Sequence, residues 1–281
     1  MNAEVVSRFD VLTRVVHWST AAAGAIVLGT ATVLYVPTLS AKIGRRATFM
    51  EIHVVSGLFL PVPLLFALAV GQSGVRLRGD LAELWQWTAA DRRWLRPKQR
   101  VTPVGKFNGG QKLVTALFAG LFLMQLLTGS VMFWHDPFST SWRTGATFVH
   151  DWAYLALAVI VIGHVVKATQ EPVLMRSMTR GEVPAEWARR ERPTWDARAD
   201  VVDRAGRSAA AGDERSTLMW VRVVGGTLLC LLGVVWILQG LDILGGSGMS
   251  GHAVWAVFGA VLLVVGAMML RAARTARAAR S

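Results

Sequence analysis

The chain has 281 residues, of which 53% are hydrophobic and 17% charged, with a mean hydropathy of +0.42. That balance excludes an ordinary soluble domain and fits an integral membrane protein. The net charge of +12 does not indicate nucleic acid, because Arg and Lys fall almost entirely in the loops between apolar runs, where they set topology and meet anionic lipid head groups.

Six stretches reach spanning length, at about 15–36, 52–72, 113–134, 148–168, 217–239 and 252–270. The first has no signal-peptide cleavage pattern and is read as a mature helix. It opens at His17, with Ala21 and Gly24 one and two turns on. The second opens at His53, has Gly57 one turn on, and is expected to kink at Pro61 and Pro63. A basic connection from about 73 to 112 leads into the third, through Asn108, Gly109, Gly110, Gln111 and Lys112; Gly129 lies near its far end. The fourth carries His150, Asp151, Tyr154 and His164. A mixed-charge segment follows, ending in an Ala/Arg/Asp-rich linker at about 196–215. Two further apolar helices flank the Gly/Ser-rich loop 245–251, and the tail carries Arg271, Arg274, Arg277 and Arg280. The single cysteine, Cys230, supports neither an intrachain disulfide nor a cysteine-ligated iron–sulfur cluster made by this chain alone.

The loops at 73–112 and 169–216 and the tail are rich in basic residues; 135–147 has only Arg143 and Asp136, and 240–251 has no Lys or Arg. The positive-inside rule then puts both termini and the two long loops in the cytoplasm, with the loop bearing Lys42, Arg45 and Arg46 dissenting. On this topology His17 and His164 share the cytoplasmic depth, and His53 and His150 the outer depth.

Ionisable side chains in membrane helices are rare and usually functional. His150 and His164 are 14 positions apart, which returns to within roughly 40° of the same helix face after a rise of about 21 Å, most of the hydrocarbon thickness. One helix therefore offers an imidazole near each face of the bilayer, and two other helices offer one each. This suits two stacked haems, ligated by His17 with His164 and by His53 with His150. Small residues one turn from a ligand leave room for a porphyrin. The blander alternative is interfacial histidines beside helix-packing glycines, which is how His135 and His252 are read. Asp151 and Arg14 are candidates for holding a ring nitrogen or a propionate, or are helix-end charges. Bis-histidine ligation leaves no open iron position, so single-electron transfer is expected.

The order of these pieces resembles the cytochrome b (gamma) subunit of respiratory formate dehydrogenases, within the wider family of dihaem cytochromes b that also serve membrane hydrogenases. The matching stretches are Arg8-Phe9 through Arg14-Val-Val-His17-Trp18, then Lys106-Phe-Asn108-Gly-Gly-Gln111-Lys112, the fourth helix, and Ser177 through Gly181-Glu-Val-Pro-Ala-Glu-Trp187 to Pro193-Thr-Trp195. It covers about residues 5–197. The resemblance implies an all-α integral membrane bundle with a four-helix dihaem core over 1–197; the linker at 198–215 and the two-helix transmembrane hairpin over 216–281 depart from the family pattern. It implies two haem b groups on His17, His53, His150 and His164. It also implies menaquinone or a related quinone at Asn108, Gly110 and Gln111, beside the cytoplasmic haem. The same three residues read alone are a helix-entry turn; Tyr154 and Lys112 are weaker candidates for tuning haem or quinone. The implied partners are an iron–sulfur (beta) subunit and a molybdenum- or tungsten-containing catalytic (alpha) subunit in the bacterial cytoplasmic membrane, because this chain has no motif for formate chemistry. Trp236, Gln239, Asp242 and Trp255 gather near the outer face, as aromatic belts do.

Three rivals stand beside this reading. The nearest is the same electron-transfer core serving another donor, as the cytochrome b subunit of a membrane hydrogenase or sulfur-compound oxidoreductase. A haem-free transporter or scaffold calls for midplane acidic residues or broken repeated helices, and the sequence has neither. A stand-alone ferric reductase calls for internal repeats, which are absent.

Overall fold

The computed structural model describes residues 4–69, 75–100, 103–134, 138–195, 212–244 and 250–278. The chain divides into two compact units, residues 1–64 with 76–204, and residues 65–75 with 205–281. Helices dominate both, and the described strands are one short antiparallel pair.

The first unit begins with β1 (Val5–Ser7) and α1 (Val11–Tyr35). Asp10 caps α1, its carboxylate accepting from the Thr13 N–H at 2.8 Å. Twenty-five residues rise about 37 Å, enough to cross hydrocarbon. Pro37 opens α2 (Pro37–Ile43), which closes on Gly44 at φ 68°. Helix α3 (Arg46–Phe59) stops short of Pro61 and α4 (Val62–Ala69) resumes beyond it, so the helical ladder is interrupted where the kink is expected, within a single span over 46–68. Proline there has no N–H to give and its ring clashes with the preceding turn. Helices α5 (Val75–Trp85) and α6 (Ala89–Trp94) precede α7 (Gly109–Phe133). Then come α8 (Thr140–Thr169), α9 (Pro172–Thr179), β2 (Glu182–Pro184) and α10 (Ala185–Glu191).

Four long helices make the bundle. Helix α1 packs closely along α3, and α7 along α8, whereas α1 with α8 and α3 with α7 touch only sparsely. A loose seam thus runs between two tight pairs. The outward faces carry large apolar side chains such as Val159 (70% exposed), Ile162 (63%) and Leu123 (58%). Apolar surface on this scale is unfavourable in water and at home in lipid.

At the end where α1 begins and α8 finishes, β1 pairs with β2 in the register Val6↔Val183. The Arg8 and Phe9 N–H groups both donate to the Gly181 carbonyl, at 2.7 and 3.0 Å. Gly181 sits at φ 86°, and a Cβ there would lie 2.5 Å from the Phe9 carbonyl, so only glycine makes this turn. Beneath it Arg8 donates to the Lys106 carbonyl at 2.9 Å, and Lys106 Nζ pairs with Asp80 at 2.6 Å. The rings of Phe9, Phe107 and Trp195 surround that ammonium, and Trp187 lies against both Arg8 and Arg192. Burial, followed by the neighbouring Arg192, pushes the Arg8 guanidinium down to about 9 against the pull of Asp80 and Glu83.

In the second unit α11 (Gly212–Gly240) and α12 (Ala253–Ala278) lie against each other at backbone contact. A Cβ on Gly233 would sit 2.6 Å from the Gly259 carbonyl, and one on Gly266 2.7 Å from the Gly226 carbonyl. Glycine is needed because the backbones themselves meet. Trp236 and Trp255 pack edge to face at 5.4 Å, both buried, rather than standing out as an interfacial belt.

Among the described residues five helices are long and apolar enough to cross a membrane: 11–35, 46–68, 109–133, 140–169 and 253–275. Helix α11 covers the sixth expected span, but its described apolar stretch, Gly225–Gly240, is shorter than these. Most of the expected linker, and residues 245–249 of the Gly/Ser-rich loop, lie outside the described residues, as does His135. Helix α11 begins at Gly212, inside the stretch expected to be linker.

Candidate functional site

Four histidine side chains meet two by two across the loose seam. His17 on α1 and His164 on α8 have ring centres 6.2 Å apart, and His53 on α3 and His150 on α8 have ring centres 6.2 Å apart as well. Helix α8 runs unbroken between its two histidines, so the pairs are separated along it by about 21 Å.

The His53–His150 pair lies in an apolar cleft. Its walls include Val27, Leu58, Phe122, Leu126 and Tyr154, and Gln125, whose buried Oε1 has no hydrogen-bond partner among the described residues. Gly57 also lines it, with nothing within 4 Å of where a Cβ would be. Gly129 lines the cleft as well. A Cβ there would lie 3.3 Å from His150 Cε1, so this glycine makes room for the imidazole itself. Tyr154 donates to or accepts from Thr32 at 2.9 Å, and its ring lies tilted against that of Tyr35 at 5.6 Å. Around the other pair, Trp18 lies against His17 and Phe118 meets His164 edge on. Gly24, two turns beyond His17, also has nothing within 4 Å of where its Cβ would be.

Threonines hold the rings of one pair. Thr30 Oγ1 is 3.1 Å from His53 Nδ1, and Thr128 Oγ1 is 2.9 Å from His150 Nδ1. Neither threonine is marked by the sequence analysis, because each acts across a helix–helix contact that spacing along one chain segment does not reveal. The polar partners expected for the histidines are elsewhere. Arg14 donates to the carbonyls of Thr179 and Asp10, tying α1 to α9. Asp151 makes no hydrogen bond to a histidine among the described residues.

At the entry to α7, Asn108 and Gln111 close a reciprocal cap. Asn108 Oδ1 accepts from the Gln111 N–H at 2.9 Å, and Gln111 Oε1 from the Asn108 N–H at 3.0 Å. Both side-chain oxygens are thereby used, and neither NH₂ group has an acceptor among the described residues. Gly109 lies against the Asp91 backbone, and Gly110 against the ring of Trp94, where a Cβ would come to 2.7 Å. Lys112 Nζ donates to Asp91 Oδ2 and to the Gln86 carbonyl, each at 2.8 Å, so it anchors α6 to α7.

The donor set suits haem iron. Metal–imidazole bonds of about 2 Å on each side, with the half-widths of two rings, come to about 6 Å between ring centres. Both pairs match that separation. Among the described residues there is no cluster of three or more His, Cys, Asp or Glu side chains suited to a bare metal ion.

A family model described as prokaryotic cytochrome b561 matches residues 8–181. The chain is also 30% identical over 101 residues to "Formate dehydrogenase, cytochrome b556(fdo) subunit" of Escherichia coli strain K12, a match covering 34% of this chain and 47% of that protein. Proteins of the same name from the O6:H1 and O157:H7 strains match to the same extent. The chain spans about half the length of the curated relatives it matches.

Proposed function

The chain belongs to the prokaryotic cytochrome b561 family, and we propose that it is the membrane-anchoring electron-transfer subunit of a formate dehydrogenase complex, holding two b-type haems and passing electrons from an iron–sulfur partner to menaquinone at the cytoplasmic side. Family membership and the apolar helices make it a multi-pass membrane protein of the haem b, electron-transferring kind. The proposal adds the number of haems, their ligands, the acceptor, the partners and the orientation.

The two ring pairs at 6.2 Å carry it. His17 with His164, and His53 with His150, are the four axial ligands in this reading. Haem b ligated by two imidazoles has no open iron position and supplies one-electron transfer. The residues of the chain hold and orient the groups: the seam between helix pairs accepts a flat ring, and small residues such as Gly57 and Gly24 keep its edge unobstructed. Lipid-facing apolar side chains exclude water. At the α7 entry the NH₂ groups of Asn108 and Gln111, with the backbone at Gly110, are the donors for a quinone carbonyl.

The partners are an iron–sulfur subunit and a molybdenum- or tungsten-containing catalytic subunit, in keeping with the formate dehydrogenase subunits this chain is similar to. Its place is the bacterial cytoplasmic membrane, as the resemblance implies, with both termini and the long loops on the cytoplasmic side, an orientation the positive-inside rule supports. The hairpin of α11 and α12 is proposed as the fifth and sixth spans of an accessory element.

Purification from native membranes tests this assignment. Iron–sulfur and molybdenum- or tungsten-containing subunits are expected to accompany the chain, and formate to reduce its b-type absorption until a menaquinone analogue reoxidises it. A chain that purifies without such partners, or whose haem formate does not reduce, overturns the assignment.

A further inference from the structure

We propose that Thr30 and Thr128 are positioning residues that fix the tautomers of His53 and His150 and make a haem held by this pair harder to reduce than one held by His17 and His164. The inference rests on the haem reading above.

Thr30 Oγ1 lies 2.8 Å from the Ile26 carbonyl and 3.0 Å from that of Val27, and Thr128 Oγ1 lies 2.7 Å from the Met124 carbonyl. A carbonyl oxygen only accepts, so each hydroxyl donates its one hydrogen to its own helix backbone. Toward the histidine each Oγ1 is then an acceptor, and the ring Nδ1 must carry the hydrogen. His53 Nδ1 also lies 3.2 Å from the Val27 carbonyl, an acceptor-only atom that requires the same tautomer. With Nδ1 protonated, Nε2 keeps its lone pair and is the nitrogen available to iron.

A metal-bound imidazole that donates a hydrogen bond through its other nitrogen becomes the more basic, more electron-rich ligand. That favours the ferric over the ferrous state. The two pairs differ in this respect. Among the described residues neither His17 nor His164 makes a hydrogen bond through a ring nitrogen, and the rings beside them are Trp18, Phe118 and each other. The asymmetry has the sign that electron flow from the His53–His150 side to the His17–His164 side requires.

The test is an equilibrium redox titration of the purified, haem-loaded chain, wild type against Thr128→Val, Thr128→Ser and Thr30→Val. Haem content and the low-spin ferric spectrum are recorded alongside. Val keeps the shape of Thr but accepts no hydrogen bond. Thr128→Val is expected to make the lower-potential haem about fivefold easier to reduce, one net hydrogen bond's worth, which is about 40 mV for one electron. Thr128→Ser restores the wild-type value, the other haem does not move, and Thr30→Val shifts less because the Val27 carbonyl remains. Two haems whose potentials ignore Thr128→Val, or move equally with Thr128→Ser, overturn the inference and leave the haem reading standing. If Thr128→Val sheds a haem, Thr30→Val decides: a shift in the same direction supports the role and an unchanged potential refutes it. A wild-type chain that binds no haem pair refutes the haem reading itself.

Discussion

Lys112 lies one residue beyond the amide cap of α7, and its ammonium and the Asp91 carboxylate are each about 5% exposed, with 2.8 Å between them. Burial by itself would raise the Asp91 carboxyl, yet the hydrogen bonds from Lys112 and Thr88 outweigh it and hold the group below its usual range. A lowered folded-state value means the unfolded chain binds that proton more tightly. The pair's contribution is therefore complete above the ordinary value of 3.8 and is lost as pH falls through the lowered one. In detergent, the unfolding midpoint of the wild type is expected to drop more steeply in acid than that of Asp91→Asn, which has nothing to titrate there; parallel slopes contradict the pairing. At this scale the four histidines are legible in the sequence because imidazole in an apolar run is costly and stands out. Thr30 and Thr128 are not, because a threonine whose hydroxyl returns to its own helix backbone is unremarkable in any apolar segment. Asn108 and Gln111 are visible as a polar entry, but only the coordinates separate the oxygens used in capping from the nitrogens left over.

Among the elements, the spans are visible from hydropathy while their ends are not. Helix α8 begins at Thr140, eight positions before the expected start, because Ser139 caps it and the polar first turns continue the same hydrogen-bonded ladder outside the lipid. Helix α1 likewise begins at Val11 behind the Asp10 cap. The interruption at Pro61 is legible, since proline acts through covalent geometry alone. The close approach of α11 and α12 is not. Gly226, Gly233 and Gly240 recur every seventh residue, but what they meet is known only from the partner helix. Gly233→Leu is expected to force this hairpin apart, because its Cβ alone would fall 2.6 Å from the Gly259 carbonyl. Protease cleavage within 212–278 should rise, and a variant as protease-resistant as the wild type contradicts the packing.

Over the whole molecule, composition suffices to exclude a soluble domain, and the apolar spans together with the resemblance set the class, an all-α membrane bundle. The stretches that carry the resemblance divide between two jobs. Arg8, Phe9, Lys106, Trp187 and Trp195 build the buried polar–aromatic knot at the loop-rich end, whereas the histidines face the seam. Sequence similarity therefore reports the scaffold as much as the site. The central claim is that imidazoles from α1 and α3 each share an iron with α8. Haem quantitation with redox titration of b-type absorption on single histidine variants tests it most directly. The account predicts two haems per chain, one redox component lost in either His53→Ala or His150→Ala, and the other in either His17→Ala or His164→Ala. A single haem, or a component that vanishes when His17 and His53 are changed but survives in the α8 variants, contradicts it.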